Sequence, residues 1–263
     1  VAQVEKVQPN NLADMKITEE VLPEFRQFSD SFNQMLERLD EGFTAQRQFT
    51  GNAAHELRTP LALMQAQVEL FSAEHPDVLP ETADFLRLLR EQTERMTQMT
   101  RTLLEMCGLQ AVPCTDHIEL GPMIDEIFAD LAPLAEKNNV MLEREGDGTM
   151  TGSDTLIYRL LFNLTENAIK YNRPGGSVRL SVTPEPEKLL IRVADTGRGI
   201  PEHFQRSVFQ PFFRVDKSRS REYGGVGLGL SLVWEIVKLH GGTVCVENSS
   251  EAGTTVAVSL PLR

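Results

Sequence analysis

The amino-acid sequence predicts an α-helical hairpin followed by an α+β two-layer sandwich. Residues 43–107 repeat apolar side chains at helical spacing and break once, at Glu74-His75-Pro76-Asp77 and Pro80. Beyond Val112-Pro113 the texture changes to strand-length apolar runs, separated by glycine turns and interleaved with helical segments.

Residues 1–22 are polar and irregular, with Pro9, Asn10 and Asn11 as breakers. From Pro23, which suits a helix start, Phe25, Phe28, Phe32, Met35 and Leu39 alternate in steps of three and four. That is an a/d seam about two heptads long, readable as a coiled coil or as one amphipathic helix packed on its own domain. The helical period continues over 43–73. A second helix follows, with Leu86, Leu89, Met96, Leu103 and Cys107 on one face, and ends at Cys107-Gly108. One such hairpin has a single seam and cannot enclose a core; two copies pairing into a four-helix bundle would bury both seams. After the linker the pattern predicts helices over 121–138, 154–171 and 227–240, and strands near 117–120, 140–145, 177–183, 188–194, 242–248 and 254–260. A mixed sheet covered by helices on one face accommodates them.

Composition excludes several classes. A formal charge of −12, with no concentrated basic tail, speaks against nucleic-acid binding. Cys107, Cys114 and Cys245 lack metal-ligand spacing and read as reduced thiols. No apolar run approaches a membrane span, so the chain reads as soluble as given. It starts with Val1, as a fragment cut from upstream membrane segments would.

Four constellations carry chemistry. On the first long helix, Phe49, Ala53, Leu57, Leu61, Met64, Val68 and Phe71 form one stripe, and His55 points about 160° from its centre. Lone histidines are ordinarily surface residues, but here Glu56 could accept the imidazole Nδ1 proton and present Nε2 as a nucleophile. Pro60 should bend the helix one turn later. Secondly, Asn163, Asn167 and Lys170 share one helix face, where amide oxygens suit Mg2+ and a lysine suits phosphate; a merely solvated face fits equally. Thirdly, Asp195-Thr196-Gly197-Arg198-Gly199 follows an apolar strand, and its carboxylate could accept an adenine N6 hydrogen bond. Fourthly, Gly224-Gly225-Val226-Gly227-Leu228-Gly229 opens a helix without the Lys-Ser/Thr of a Walker loop or a preceding strand. His75, His117 and His203 read as solvated or capping, His240 as a helix C-terminal residue favoured by the dipole, and Trp234 as core packing.

The segment Phe49 to Leu61 resembles the H-box of histidine kinases of the HisKA class. The other segments, with Phe209-Gln210-Pro211-Phe212-Phe213-Arg214, resemble the N, G1, F and G2 boxes of their GHKL-type ATP-binding domain. This resemblance covers residues 43–263 and implies a dimerisation and phosphotransfer hairpin in 44–111 and a catalytic ATP-binding domain in 117–263; separately, residues 23–43 resemble the second helix of a HAMP module, which implies a partial HAMP-like region in 1–43. The histidine-kinase resemblance implies ATP and Mg2+ as cofactors, autophosphorylation on His55, and transfer to an aspartate of a response-regulator receiver domain. Thr59 matches the position that orients a water for regulator dephosphorylation. Asn167 would ligate Mg2+ beside Asn163, and Lys170 and Arg214 would contact phosphates. Tyr171 would lie against adenine and Asp195 would fix N6, with Gly197 and Gly199 shaping the floor. Gly225, Gly227, Leu228 and Gly229 would border the nucleotide and hinge a lid over about 211–226. The family's ATPase relatives carry a glutamate where Asn163 stands, so slow hydrolysis fits better here. Val226 replaces the usual Thr or Ser, which removes a hydroxyl contact to phosphate and keeps a non-catalytic scaffold reading open. The partners implied are a second copy, a receiver domain and, through upstream segments alone, a membrane, making this the cytoplasmic portion of a membrane sensor.

Overall fold

The computed structural model describes residues 26–109, 112–215 and 227–262. Most of the expected HAMP-like segment, together with Gly225 and Val226, lies outside them. Helix α1 (Arg26–Glu74) and helix α2 (Pro80–Gly108) form the hairpin. α1 runs without interruption through both residue 43 and Pro60, so the expected boundary at 43/44 falls inside one helix.

Many of the large seam residues are exposed in the single chain. On α1, Ser29, Leu36, Ala54 and Leu61 are buried, whereas Phe28, Met35, Leu39, Leu57 and Met64 face outward. On α2 the buried positions are Thr93, Thr100 and Thr102, and Leu89 and Met96 are exposed. The threonine hydroxyls are satisfied locally, Thr93 donating to the Leu89 carbonyl and Thr100 to that of Thr97. Packing within one hairpin therefore uses Leu36 and Leu61 with small and polar side chains, and leaves many large apolar ones exposed.

The α/β unit contains strand β1 (Asp116–Glu119), helix α3 (Leu120–Asn138), strands β2 (Met141–Gly146) and β3 (Thr149–Gly152), and helix α4 (Asp154–Lys170). Strands β4 (Ser177–Pro184) and β5 (Lys188–Asp195), helix α5 (Gly229–Leu239), and strands β6 (Thr243–Ser250) and β7 (Gly253–Pro261) complete it. The main sheet has the order β2-β4-β5-β7-β6, parallel between β2 and β4 and antiparallel elsewhere. Alternate residues of β4 (Val178, Leu180, Val182) and β5 (Leu189, Ile191, Val193) are buried under α3, α4 and α5. This is the two-layer sandwich expected, with helices on one face. β1 and β3 form a separate antiparallel pair. β3 was not expected: with Met150 as its single apolar residue, it follows directly on a glycine turn. Asp147 in that turn caps α3, its Oδ1 accepting from the Gly121 and Gly148 amides at 2.8 and 2.7 Å.

His240 departs from its expected role. It caps α5 but is buried, with Nε2 accepting from the Ser153 amide at 3.1 Å and Nδ1 donating to the Ile236 carbonyl at 2.8 Å. Only the neutral Nδ1–H tautomer satisfies both bonds, and Nε2 faces the positive N-terminus of α4. The ring is a neutral rivet between two helix ends, not a cation drawn to a C-terminal dipole. His240→Ala should lower the stability of the full chain by about 2–4 kcal/mol, through an unpaired amide and a cavity. Thermal unfolding checks this.

Candidate active site

Helix α4 carries the first half of the site. Its apolar face (Leu160, Leu161, Leu164, Ala168) is buried against the sheet, which turns Asn163, Asn167 and Lys170 toward one half-buried flank. The start of α5 meets that flank at Gly229. A Cβ there would fall 2.8 Å from Asn163 Oδ1 and 3.8 Å from Asn167 Nδ2. Asn163 is itself held, its Nδ2 donating to the Arg159 carbonyl at 2.7 Å. The unpaired first-turn amides of α5 thus open beside two side-chain amides. Lys170 is paired with Glu166 at 2.8 Å, so a phosphate would have to compete with that carboxylate.

The end of β5 supplies the second half. Asp195 Oδ1 accepts from the Gly197 amide at 2.7 Å and the Thr254 amide at 3.2 Å, which fixes the carboxylate and concentrates both bonds on one oxygen. Burial pushes the Asp195 carboxyl above its ordinary pKa, partly offset by these two amides. Thr196 Oγ1 donates to Asn172 Oδ1 at 3.0 Å, and Arg198 lies over the Tyr171 ring, 5.0 Å from its centroid. The loop glycines serve the protein's own packing. A Cβ on Gly197 would meet the Tyr171 carbonyl at 2.4 Å, and one on Gly199 (φ +73°) the Ser250 carbonyl at 2.0 Å.

Among the described residues, the two sides of the segment 213–226 are joined by a bond from the Phe212 N–H to the Gly227 carbonyl at 2.9 Å. Phe212 is a non-glycine residue at φ +63°, and Gly227 sits at φ +76° with Arg214 Cγ 3.2 Å from where its Cβ would be. Arg214 is therefore at the base of this loop, and Leu228 is buried as the cap of α5.

His55 is exposed on α1 beside buried Ala54, with Glu56 and Thr59 also exposed and Thr59 one turn further on the same face. Neither His55 nor Glu56 makes a side-chain hydrogen bond or ion pair among the described residues, so the expected Glu56–His55 bond is not formed. Adjacent residues on a helix diverge by about 100°, which separates their side chains. The hairpin meets the α/β unit through α2. Glu105 pairs with Arg159 at 2.6 Å, and Leu109 is buried in the α/β core.

Residues 45–107 match the model of the His Kinase A (phospho-acceptor) domain, and residues 152–263 that of the histidine kinase-, DNA gyrase B- and HSP90-like ATPases. The chain belongs to the histidine kinase family. Sensor histidine kinase RppB of Synechocystis is 32% identical over 84% of this chain and 50% of its own length. The histidine-protein kinase ArlS of Staphylococcus aureus is 31% identical over 89% and 53%. The chain spans about half the length of these curated relatives. In fold it resembles full-length ShkA, solved with AMPPNP (TM-score 0.65, 20% identity, 81% of this chain and 45% of that one). AdeS of Acinetobacter baumannii is also similar (TM-score 0.55, 16% identity, 80% and 98%).

In this histidine kinase the structure brings Asn163, Asn167 and Gly229 together, and joins Tyr171 to the Asp195 loop. Sequence reasoning missed Thr254, Asn172 and Glu166. Thr254 acts through its backbone amide, which no side-chain motif reveals. Asn172 directly follows the recognised Tyr171 and was within reach. Glu166 precedes Lys170 by one helical turn, a spacing that signals an ion pair.

Proposed function

We propose that the chain is a protein-histidine kinase that phosphorylates its own His55 from ATP and passes the phosphoryl group to an aspartate of a response-regulator receiver domain. The carrying observation is the cradle formed by Asn163, Asn167 and the start of α5, with a carboxamide where hydrolytic relatives need a carboxylate. An amide cannot act as general base toward water, which favours transfer to a protein nucleophile over sustained hydrolysis.

Adenine N6 would donate to Asp195, with Tyr171 beside the ring. Lys170, Arg214, Gly225, Gly227, Leu228 and the Gly229 amide would receive the phosphates, Lys170 exchanging Glu166 for them. The cradle fits Mg2+, because Gly229 leaves room beside the hard oxygen of Asn163, and the Asn167 amide, whose Nδ2 faces Gly229, carries a second hard oxygen that a half-turn would present. When bound, Mg2+ offsets triphosphate charge. His55 Nε2 forms the bond to the γ-phosphorus while the bond to the β–γ bridging oxygen breaks and ADP departs with the electron pair. The ring is exposed, and its Nδ1 proton departs to solvent or to Glu56 once that side chain turns toward it. Thr59 is placed to orient a water for dephosphorylation of the regulator.

The exposed seams of α1 and α2 support a homodimer built on a four-helix bundle from residues 44–111, with 117–263 as the catalytic domain and 1–43 as a HAMP-like lead-in. No helix among the described residues is long and apolar enough to cross a membrane. We place the chain as the cytoplasmic portion of a membrane-anchored sensor, by likeness to the sensor kinases it matches. The test is stoichiometric. With excess ATP and Mg2+, ADP release should stop near one per chain, matched by phosphoprotein. Steady ADP production without phosphoprotein would replace this reading with that of an ATPase.

A further inference from the structure

We infer that Asn172 is a positioning residue that sets the site's selectivity for adenine, acting through Thr196 on Asp195; this rests on the nucleotide reading above. The two halves of the site stand on different elements. Asn163, Asn167 and Lys170 lie on α4, whereas Asp195 closes β5. Asn172 follows the end of α4 by two residues and bonds across the gap. Its Oδ1 accepts from the Arg173 amide at 2.9 Å and from Thr196 Oγ1 at 3.0 Å, while its Nδ2 donates to the Ser177 carbonyl at 3.0 Å. A flipped amide would set donor against donor at Arg173 and oxygen against oxygen at Ser177, so its orientation is determined. Thr196 Oγ1 in turn accepts from the Ser177 amide at 2.9 Å. Gly176 is buried beside this knot, and a Cβ on it would collide with both Asn172 Oδ1 and Thr196 Oγ1. The knot occupies the space that a side chain there would need.

Thr196 is the central residue of a turn that Asp195 makes on itself. Asp195 Oδ1 accepts from the Gly197 amide two residues on, at 2.7 Å, so the carboxylate and the turn move together. Ladder pairing of β5 with β4 and β7 ends at Asp195, and beyond it the turn is tied to the end of α4 through Thr196 and Asn172. The Gly197 backbone also lies against the Tyr171 carbonyl, so loss of Asn172 displaces the carboxylate without unfolding the junction. A shift of about 1 Å is enough to break the bond to adenine N6 while the phosphates stay bound. That bond separates adenine from a purine with a carbonyl at C6, whose oxygen would face the carboxylate. Displacing Asp195 weakens the first base and spares the second.

The experiment is calorimetric binding of ADP and of inosine diphosphate to the full chain, below the thermal midpoint. The chains compared are wild type, Asn172→Ala, Thr196→Val, Thr196→Ser and the double variant Asn172→Ala/Thr196→Val. Wild type should prefer ADP. Asn172→Ala and Thr196→Val should each cut that preference about five- to tenfold, by weakening ADP and leaving inosine diphosphate unchanged. Thr196→Ser keeps the hydroxyl and should restore the preference, and the double variant should lose no more than the larger single loss. Equal weakening of both ligands, a preference that survives Thr196→Val, or additive losses would overturn the inference. Should Asn172→Ala fail to fold, the contrast between Thr196→Val and Thr196→Ser decides alone. A wild-type chain that bound neither ligand, or both equally, would remove the adenine reading and this inference with it. A wild-type preference for ADP that no variant alters removes the inference alone.

Discussion

Asp195→Asn should abolish nucleotide binding while leaving the fold intact. The carboxylate is held by two backbone amides that converge on Oδ1. An asparagine Oδ1 can accept the same two bonds, so the loop after β5 and the start of β7 keep their anchor. The second position changes from acceptor to an NH2 donor, and adenine N6 is also a donor. Two donors facing each other in a half-buried site leave both unpaired, which predicts a loss of about a hundredfold or more in affinity for ADP. Calorimetry on both chains, with thermal unfolding as the control for fold, measures it. The pH dependence has opposite signs for binding and stability. Burial raises the folded carboxyl above its unfolded value of 3.8, so the folded chain holds this proton more tightly than the unfolded one. This group's contribution to stability is present below pH 3.8 and is lost as pH rises through the raised pKa. Nucleotide binding needs the ionised form and should rise over that same interval. Both trends should vanish in Asp195→Asn.

Gly229→Ala should produce a chain close to wild type in stability but impaired in phosphorylation by about ten- to hundredfold. Gly229 opens α5 with helical backbone, so alanine introduces no strain there and is the better helix former. Its methyl group, however, would fall 2.8 Å from Asn163 Oδ1. Asn163 cannot yield without loosening its bond to the Arg159 carbonyl, and Asn167 is the next side chain along the face. The gain in helix propensity and the loosened Asn163 bond offset each other, so activity is expected to fall with little change in stability. A parallel loss of both would show that Gly229 serves packing and does not hold the cradle open.

Much of this site was legible as spacing. Asn163, Asn167 and Lys170 at i, i+4 and i+7 had to share a face, and Asp195 closed an apolar strand. What spacing could not convey was how distant segments meet. That Gly229 sits on Asn163, that Thr254 supplies an amide to Asp195, and that Arg198 reaches Tyr171 are consequences of α5 lying beside α4, of β7 lying beside β5 and of α4 packing on β5, respectively. The helices and six strands followed from period and glycine turns, and β3 escaped because the strand, with Met150 as its single apolar residue, follows directly on a glycine turn. His240 was misread for a different reason. Its position at a helix end was correct, but the Ser153 amide that requires a neutral ring comes from 87 residues away. The seams of α1 and α2 were legible as apolar stripes, and the structure leaves many of their large side chains exposed in the single chain.

The central claim is chemical: His55 becomes the phosphoryl acceptor. Incubation of the chain with γ-labelled ATP and Mg2+, beside His55→Gln, tests it directly when the label is challenged with acid and with base. The account predicts label on wild type that is lost in acid, survives base, and is absent from His55→Gln. Label that survives acid, or that persists in His55→Gln, would place the phosphoryl group on another residue and contradict the account.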